Sequence, residues 1–191
     1  MLEKIKRTIY KVAIELVKPV RRASFQYCQY SSRYDKYKQG IFENAFRKEF
    51  SNGALTDIGV YCVHPLVKLF GMPQEIMAMA QILPDSIDGQ GTIIAKYPEM
   101  LAEVLYSKIT NSKIPSQIQG EKGAIIIEDI PNPRKVKVIF NDNTEKIIKV
   151  PECENNLVFE AKEWARLIEI GKFTDEHIKY SHMCVKVMAE A

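Results

Sequence analysis

The chain has 191 residues, of which 46% are hydrophobic and 27% charged, and a net charge of +3. That length suits one domain, or one domain with a short arm, while the aliphatic content and small net charge exclude a disordered chain. Nine Gly and nine Pro exclude collagen-like or low-complexity sequence, and no apolar run approaches the ~20 residues of a membrane span.

The charge is unevenly placed. Residues 1–50 hold twelve Lys/Arg against five Asp/Glu, a balance of +7, which leaves −4 for the remainder. A solvated helix face followed by a strand accounts for this, and neither zinc-finger spacing nor an aromatic-flanked RNA signature accompanies it, so no nucleic-acid partner is expected. Cysteines stand at 28, 62, 153 and 184, without a CxxC or a Cys/His pair at ligand spacing. That pattern argues against a metal site and against a secreted disulfide framework. Residues 1–6 lack the apolar core of a secretory leader. A cytoplasmic protein with reduced thiols and no membrane contact is expected.

In chain order, Leu2, Ile5, Ile9, Val12, Ala13, Leu16 and Val17 recur at spacings of three and four, which predicts an amphipathic helix that Pro19 ends. Residues 1–18 are read as a helical arm and 19–191 as the domain. Arg21–Tyr30 reads as a strand with Ala23, Phe25 and Tyr27 on one face. The polar stretch from Ser31 to Glu49 reads as a long, loosely structured loop, a length often reserved for function. Ser51-Asn52-Gly53 breaks the chain and is expected to cap a helix from Ala54 to Phe70, with a loosened turn at Pro65 and a stop at Gly71.

Short β-branched runs follow at 74–83, 92–97, 101–110, 116–120, 124–128, 135–140 and 146–150. Turn signals at Asp88-Gly89, Tyr97-Pro98, 120–123 and 141–143 separate them. The GxG at 89–91 is read as a turn between strands. Two helices close the chain: one over 156–170 ending at Gly171, and one capped by Thr174. The order predicts an α+β fold, a large, mainly antiparallel open sheet with helices packed on one face. A glycine-rich strand-to-helix turn and an alternating βαβ series are both missing.

The densest polar cluster lies in the 54–70 helix. Asp57 and Tyr61 are four apart and share a face, with His64 three residues beyond. Burying such groups without partners costs roughly 1–3 kcal/mol each, so a helix that carries them has a use for them. A phenol can exchange a proton with a substrate hydroxyl, and a carboxylate can orient it. The plain alternative is that Asp57 pairs locally and Tyr61 packs in the core; spacing alone leaves both open.

The run from Gly53 to Gly71, with Asp57, Gly59 and Tyr61 in register, resembles the GG-x-L-x-D-x-G-x-Y/H start of the carboxy-terminal domain in the glucose–fructose oxidoreductase/inositol dehydrogenase/MocA family. Residues 25–38 are similar to the branch of dimeric dihydrodiol dehydrogenases. Segments 107–112 and 118–124 and the end from Ser181 to Met188 also match, so the resemblance covers nearly the whole chain from about residue 18. It implies the open-sheet domain of the glyceraldehyde-3-phosphate dehydrogenase-like type. It also implies an NAD(P)-dependent oxidoreductase acting on a sugar, polyol or diol CH–OH group.

By that resemblance Tyr61 is the proton-transfer group and Asp57 binds or orients substrate. Arg33 and Tyr34, on the loop bordering the cleft, are implied substrate or cofactor contacts, with simple anchoring of the loop as the alternative. His64 falls a turn past the family's histidine position and is expected to pack or to stand at the rim of the substrate site. The family's Rossmann domain and its E-K-P lysine are not in this sequence. Lys18-Pro19 is not their equivalent, and the chain ends short of the family's terminal segment. A truncated chain is therefore expected, with NAD(P) belonging to the intact enzyme, no cofactor bound by this chain alone, and a separate Rossmann-domain chain as a possible partner. The resemblance further implies a homodimer formed through the open sheet face, with Ile125, Ile127, Val136, Val138 and Phe140 as the apolar patch. A non-catalytic, self-associating sheet module is the second reading.

Overall fold

The computed structural model describes residues 2–149, 157–171 and 175–191. Helix α1 (Leu2–Val17) leads into strand β1 (Val20–Cys28) and the short helix α2 (Tyr34–Lys38). Two 3-10 turns (Asn44–Phe46 and Lys48–Phe50) and a π-helical turn (Leu55–Gly59) precede helix α3 (Val60–Phe70). Strands β2 (Glu75–Ile82), β3 (Asp88–Lys96), β4 (Leu101–Ser107), β5 (Ser116–Gly120), β6 (Gly123–Ile127), β7 (Lys135–Phe140) and β8 (Glu145–Lys149) come next. Helices α4 (Leu157–Glu169) and α5 (Asp175–Glu190) follow. The expected helix starts at Asn156 and Thr174, together with Cys153, lie outside the described residues.

The strands form one sheet in the order β2-β3-β4-β1-β5-β6-β7-β8. Every neighbouring pair is antiparallel except β1 with β4. This is the mainly antiparallel open sheet expected from the sequence. Strand alternation sends Ala23, Phe25, Ala102, Val104, Ile118, Ile125, Ile127, Val136 and Val138 to one buried face. Helix α1 lays Tyr10, Ala13, Ile14 and Val17 across β5, β6 and β7, so the helical arm is packed on the sheet. Helix α3 covers β1 and β4 with Cys62, Val63, Leu66 and Val67, and α5 packs on α3 through Cys184 and Val187. No helix among the described residues is long and apolar enough to cross a membrane.

Four expectations are corrected. Ile125, Ile127, Val136 and Val138 are buried on the helix-covered face and Phe140 packs against the same core, so they cannot form the patch on the open face. That face instead exposes Met77, Met79, Ile94, Leu101 and Ile147, whose strand parity is opposite. The segment after β1 is not loose: Tyr37 and Phe46 bury themselves with Leu83 and Ile87 in a second small core. Its apolar residues lack a regular period, which is why periodicity does not reveal it. Asp88, Gly89 and Gln90 belong to β3, and the reversal falls earlier, where Ser86 donates its N–H to Leu83 (3.0 Å). Finally, the expected helix from Ala54 does not start regularly: residues 55–59 form a π turn before α3, which continues through Pro65.

Candidate active site at the head of helix α3

The site is built where the chain enters α3. Ser51 adopts a left-handed backbone (φ 53°) and turns the chain into Gly53. A Cβ on Gly53 would collide with the Asp88 carboxylate, which reaches over from β3. That carboxylate accepts the Leu55 N–H (2.7 Å). The helix start is therefore capped by a side chain from the sheet, and not by the local Ser51-Asn52 signal; Asn52 instead donates to Ala45's neighbour, the Asn44 carbonyl (2.8 Å). Next comes the π turn, an irregularity that recurs at functional sites. Gly91 supports it indirectly: a Cβ there would strike the Tyr106 hydroxyl, and the Tyr106 ring lies against Gly59. Burial, with Asp88 nearby, pushes the Tyr106 phenol up to about 12.

Asp57 on this turn and Tyr61 on the first turn of α3 are both about half exposed, at 47% (side chain) and 48%, on a helix whose other face is buried. Tyr61 sets its ring edge-to-face against Tyr27 of β1, with centroids 5.5 Å apart. Such aromatic pairs hold their rings in defined orientations. Tyr27 donates its hydroxyl to Gln29 (3.0 Å), and burial raises its pKa, with Asp129, Tyr61 and Asp57 adding to the shift. Burial also holds the Cys62 thiol in its neutral form, so Cys62 is a packing residue. Cys28, Cys62 and Cys184 are free thiols.

Lys108 is the residue that sequence reasoning missed. Its side chain is only 2% exposed, yet its ammonium pairs with Asp57 Oδ2 (2.7 Å) and donates to the Ala45 carbonyl (2.6 Å). The same ammonium sits 4.7 Å from the centre of the Phe46 ring. A signal was available: Ala102, Val104 and Tyr106 point into the core, and period-two alternation carries Lys108 to the same side. Just before it, Ser107 Oγ accepts the N–H groups of Ile109 (3.2 Å) and Thr110 (3.0 Å), which ends β4 in a tight turn.

The remaining candidates are distributed around this centre. Tyr34 stacks on Phe46 (5.9 Å) and Tyr37 (6.0 Å), and Phe46 in turn lies against Lys108, the partner of Asp57. Arg33 pairs with Glu43 (3.1 Å), which also binds Lys36, on the outer side of that segment. His64 is half-buried further along α3 and is engaged with a neighbour. Thus Asp57 and Tyr61 lie half-exposed at the head of one helix, Tyr34 is joined to Asp57 by contacts through Phe46 and Lys108, and Arg33 is turned to Glu43. Among the described residues no three His, Cys, Asp or Glu side chains converge as metal ligands would.

The single parallel pair among the described strands, β1 with β4, is joined through α2, α3, β2 and β3, and a glycine-rich turn opening onto a helix is not part of it.

The fold is that of an α+β open-sheet domain found in solved oxidoreductases. KijD10, a 3-ketoreductase from Actinomadura kijaniata solved with TDP-benzene and NADP, superposes with a TM-score of 0.77 at 13% identity, over 99% of this chain and 56% of that one. A sequence profile of the GFO/IDH/MocA C-terminal domain matches residues 20–126, and the chain belongs to that family. It is 39% identical over 191 residues to the scyllo-inositol 2-dehydrogenase (NADP(+)) IolU of Bacillus subtilis, covering 99% of this chain and 57% of the relative. It is 32% identical over 182 residues to the uncharacterised oxidoreductase YgjR of Escherichia coli, covering 95% of this chain and 56% of that protein. The chain therefore spans a little over half the length of the curated relatives it matches.

Proposed function

We propose that this chain is the substrate-binding part of an NAD(P)-dependent oxidoreductase acting on a CH–OH group of a sugar, polyol or diol, with a cyclic polyol favoured by its relatedness to scyllo-inositol 2-dehydrogenase. The observation that carries the reading is the pair Asp57 and Tyr61, exposed together at the head of a helix that is otherwise core. Tyr61 takes the hydroxyl proton as the carbon is oxidised and returns it in the reverse direction. Asp57 accepts a hydrogen bond from a hydroxyl and fixes the sugar ring. Tyr34 and His64 border the substrate, whereas Arg33, turned to Glu43, does not. In the intact enzyme a separate nucleotide-binding domain supplies the nicotinamide that exchanges hydride with the substrate; this chain's share is binding, orientation and the proton.

Calorimetric titration of the chain with scyllo-inositol tests this reading. Binding that is lost in Asp57→Asn supports it, whereas wild-type and variant chains behaving alike would sink it. NADP added to the same chain is expected to show no micromolar binding.

A second copy of the chain is the proposed partner at the open sheet face. The exposure of Met77, Met79, Ile94, Leu101 and Ile147 there also favours the second reading, a non-catalytic self-associating module. The two readings part at the polyol titration, since only the first requires Asp57 to bind it.

A further inference from the structure

We propose that Lys108 is the positioning residue of the site: one buried ammonium sets the Asp57 carboxylate and clamps the Asn44–Phe50 segment beside it, so that polyol binding at Asp57 and closure of that segment are coupled. The coupling to polyol rests on the function proposed above; the clamp itself does not.

A lysine ammonium is almost never fully buried unless it is paired. Here its partners come from two different elements, Asp57 on the π turn and the Ala45 carbonyl in the first 3-10 turn. The lysine's own backbone is tied to the sheet. Its N–H donates to the Gly89 carbonyl (2.9 Å), and its carbonyl accepts the Ser31 N–H (2.8 Å). The cation is therefore mounted on the sheet, and of the two elements it holds one carries Asp57 and the other packs Phe46 against Tyr34. Phe46, against which the ammonium rests, is in turn stacked on Tyr34 and Tyr37. Moving Asp57 off Lys108 would leave a buried cation short of its counter-charge, and opening the 44–50 segment would remove both the carbonyl and the ring. Each contact thus favours the other, which is the condition for coupling. With Oδ2 held by Lys108, the half-exposed carboxylate remains accessible to a substrate hydroxyl in a fixed orientation.

If Lys108 merely filled space beneath Phe46, methionine would replace it without consequence, because it matches the stem and lacks only the charge. Limited trypsin digestion of the full chain reads the clamp directly, since Arg47 and Lys48 are exposed trypsin sites on the clamped segment. When opening is fast, cleavage reports the open population. Lys108→Met is expected to raise cleavage after these residues about tenfold, and Asp57→Asn severalfold, on the order of coupled neighbours. Asp57→Glu, which keeps the carboxylate, should stay within about threefold of wild type. Lys108→Met with Asp57→Asn should cleave no faster than Lys108→Met alone. Scyllo-inositol should slow cleavage of the wild-type chain and leave Lys108→Met unaffected. Unchanged cleavage in Lys108→Met, or single-variant effects that simply multiply in the double variant, overturns the clamp. Should Lys108→Met not fold, Asp57→Asn against Asp57→Glu decides: equal cleavage in the two overturns it. A clamp that behaves as described but gives no protection by scyllo-inositol in the wild type overturns only the coupling to polyol and counts against the proposed substrate class.

Discussion

Asp88 organises the site from a distance. An N–H at a helix start needs an acceptor, and Leu55 finds it in a carboxylate 33 residues away instead of in the adjoining Ser51-Asn52. Asp88→Ala is expected to lower unfolding stability by about 1–2 kcal/mol with an unchanged urea m-value, measured by equilibrium denaturation. Tyr61 is different, because its phenol is half-exposed and is the group proposed to exchange the substrate proton. In the enzyme that also carries the nucleotide-binding domain, Tyr61→Phe should reduce kcat by roughly 10²–10⁴-fold, with a smaller effect on KM, in a steady-state polyol oxidation assay. Neither the pair of Asp57 with Lys108 nor the cap from Asp88 is legible from local sequence. Both partners lie far along the chain, and only the sheet brings them to the head of α3.

The segment between β1 and α3 shows how an element can be folded without a periodic pattern. Its stability comes from ring stacking among Tyr34, Tyr37 and Phe46 and from a few ion pairs, Arg33 and Lys36 with Glu43 among them. Those contacts form a second small core outside the sheet. The strands behave oppositely: their β-branched runs mark each of them locally, although β3 begins at Asp88 and β4 ends at Ser107. Parity is a local property, whereas the choice of which parity faces helices is not. For that reason the sequence marks Ile125, Ile127, Val136 and Val138 as apolar without showing which face they occupy. The outward-facing Met77 and Met79 lie on β2, an edge strand. Replacing both with Asp is expected to abolish any dimer seen by sedimentation velocity, because it puts charge where apolar area would be buried. Dimer that persists in the double variant would exclude this part of the sheet from the interface.

On the scale of the whole molecule, α1 and α3 cover one sheet face, with α5 packed on α3, and among the described residues the other face is open. The phenols of Tyr97 and Tyr106 lie on the covered side. Burial raises both above the ordinary value of 10.0, Tyr106 to about 12. A group whose pKa is raised on folding contributes stability that is complete below its unfolded pKa and is lost as pH rises through the folded one. Stability should therefore fall between about pH 10 and 12, and Tyr106→Phe should flatten that decline in urea unfolding followed as a function of pH. A decline of the same slope in the variant would place the alkaline sensitivity elsewhere.

The sequence by itself determined the α+β class, the two helical ends, the strands and their alternation, and the family, because each is carried by local period, turn residues or a contiguous motif. It also singled out Asp57 and Tyr61, whose spacing is fixed within one helix. Only the tertiary structure decided which sheet face is covered, that α1 lies on it, and that residues 31–50 are ordered around their own aromatic core. It alone put Asp88 over Gly53 and brought Lys108 to Asp57. These are contacts between segments far apart in the chain, and a buried charge is tolerated only where such segments converge to satisfy it.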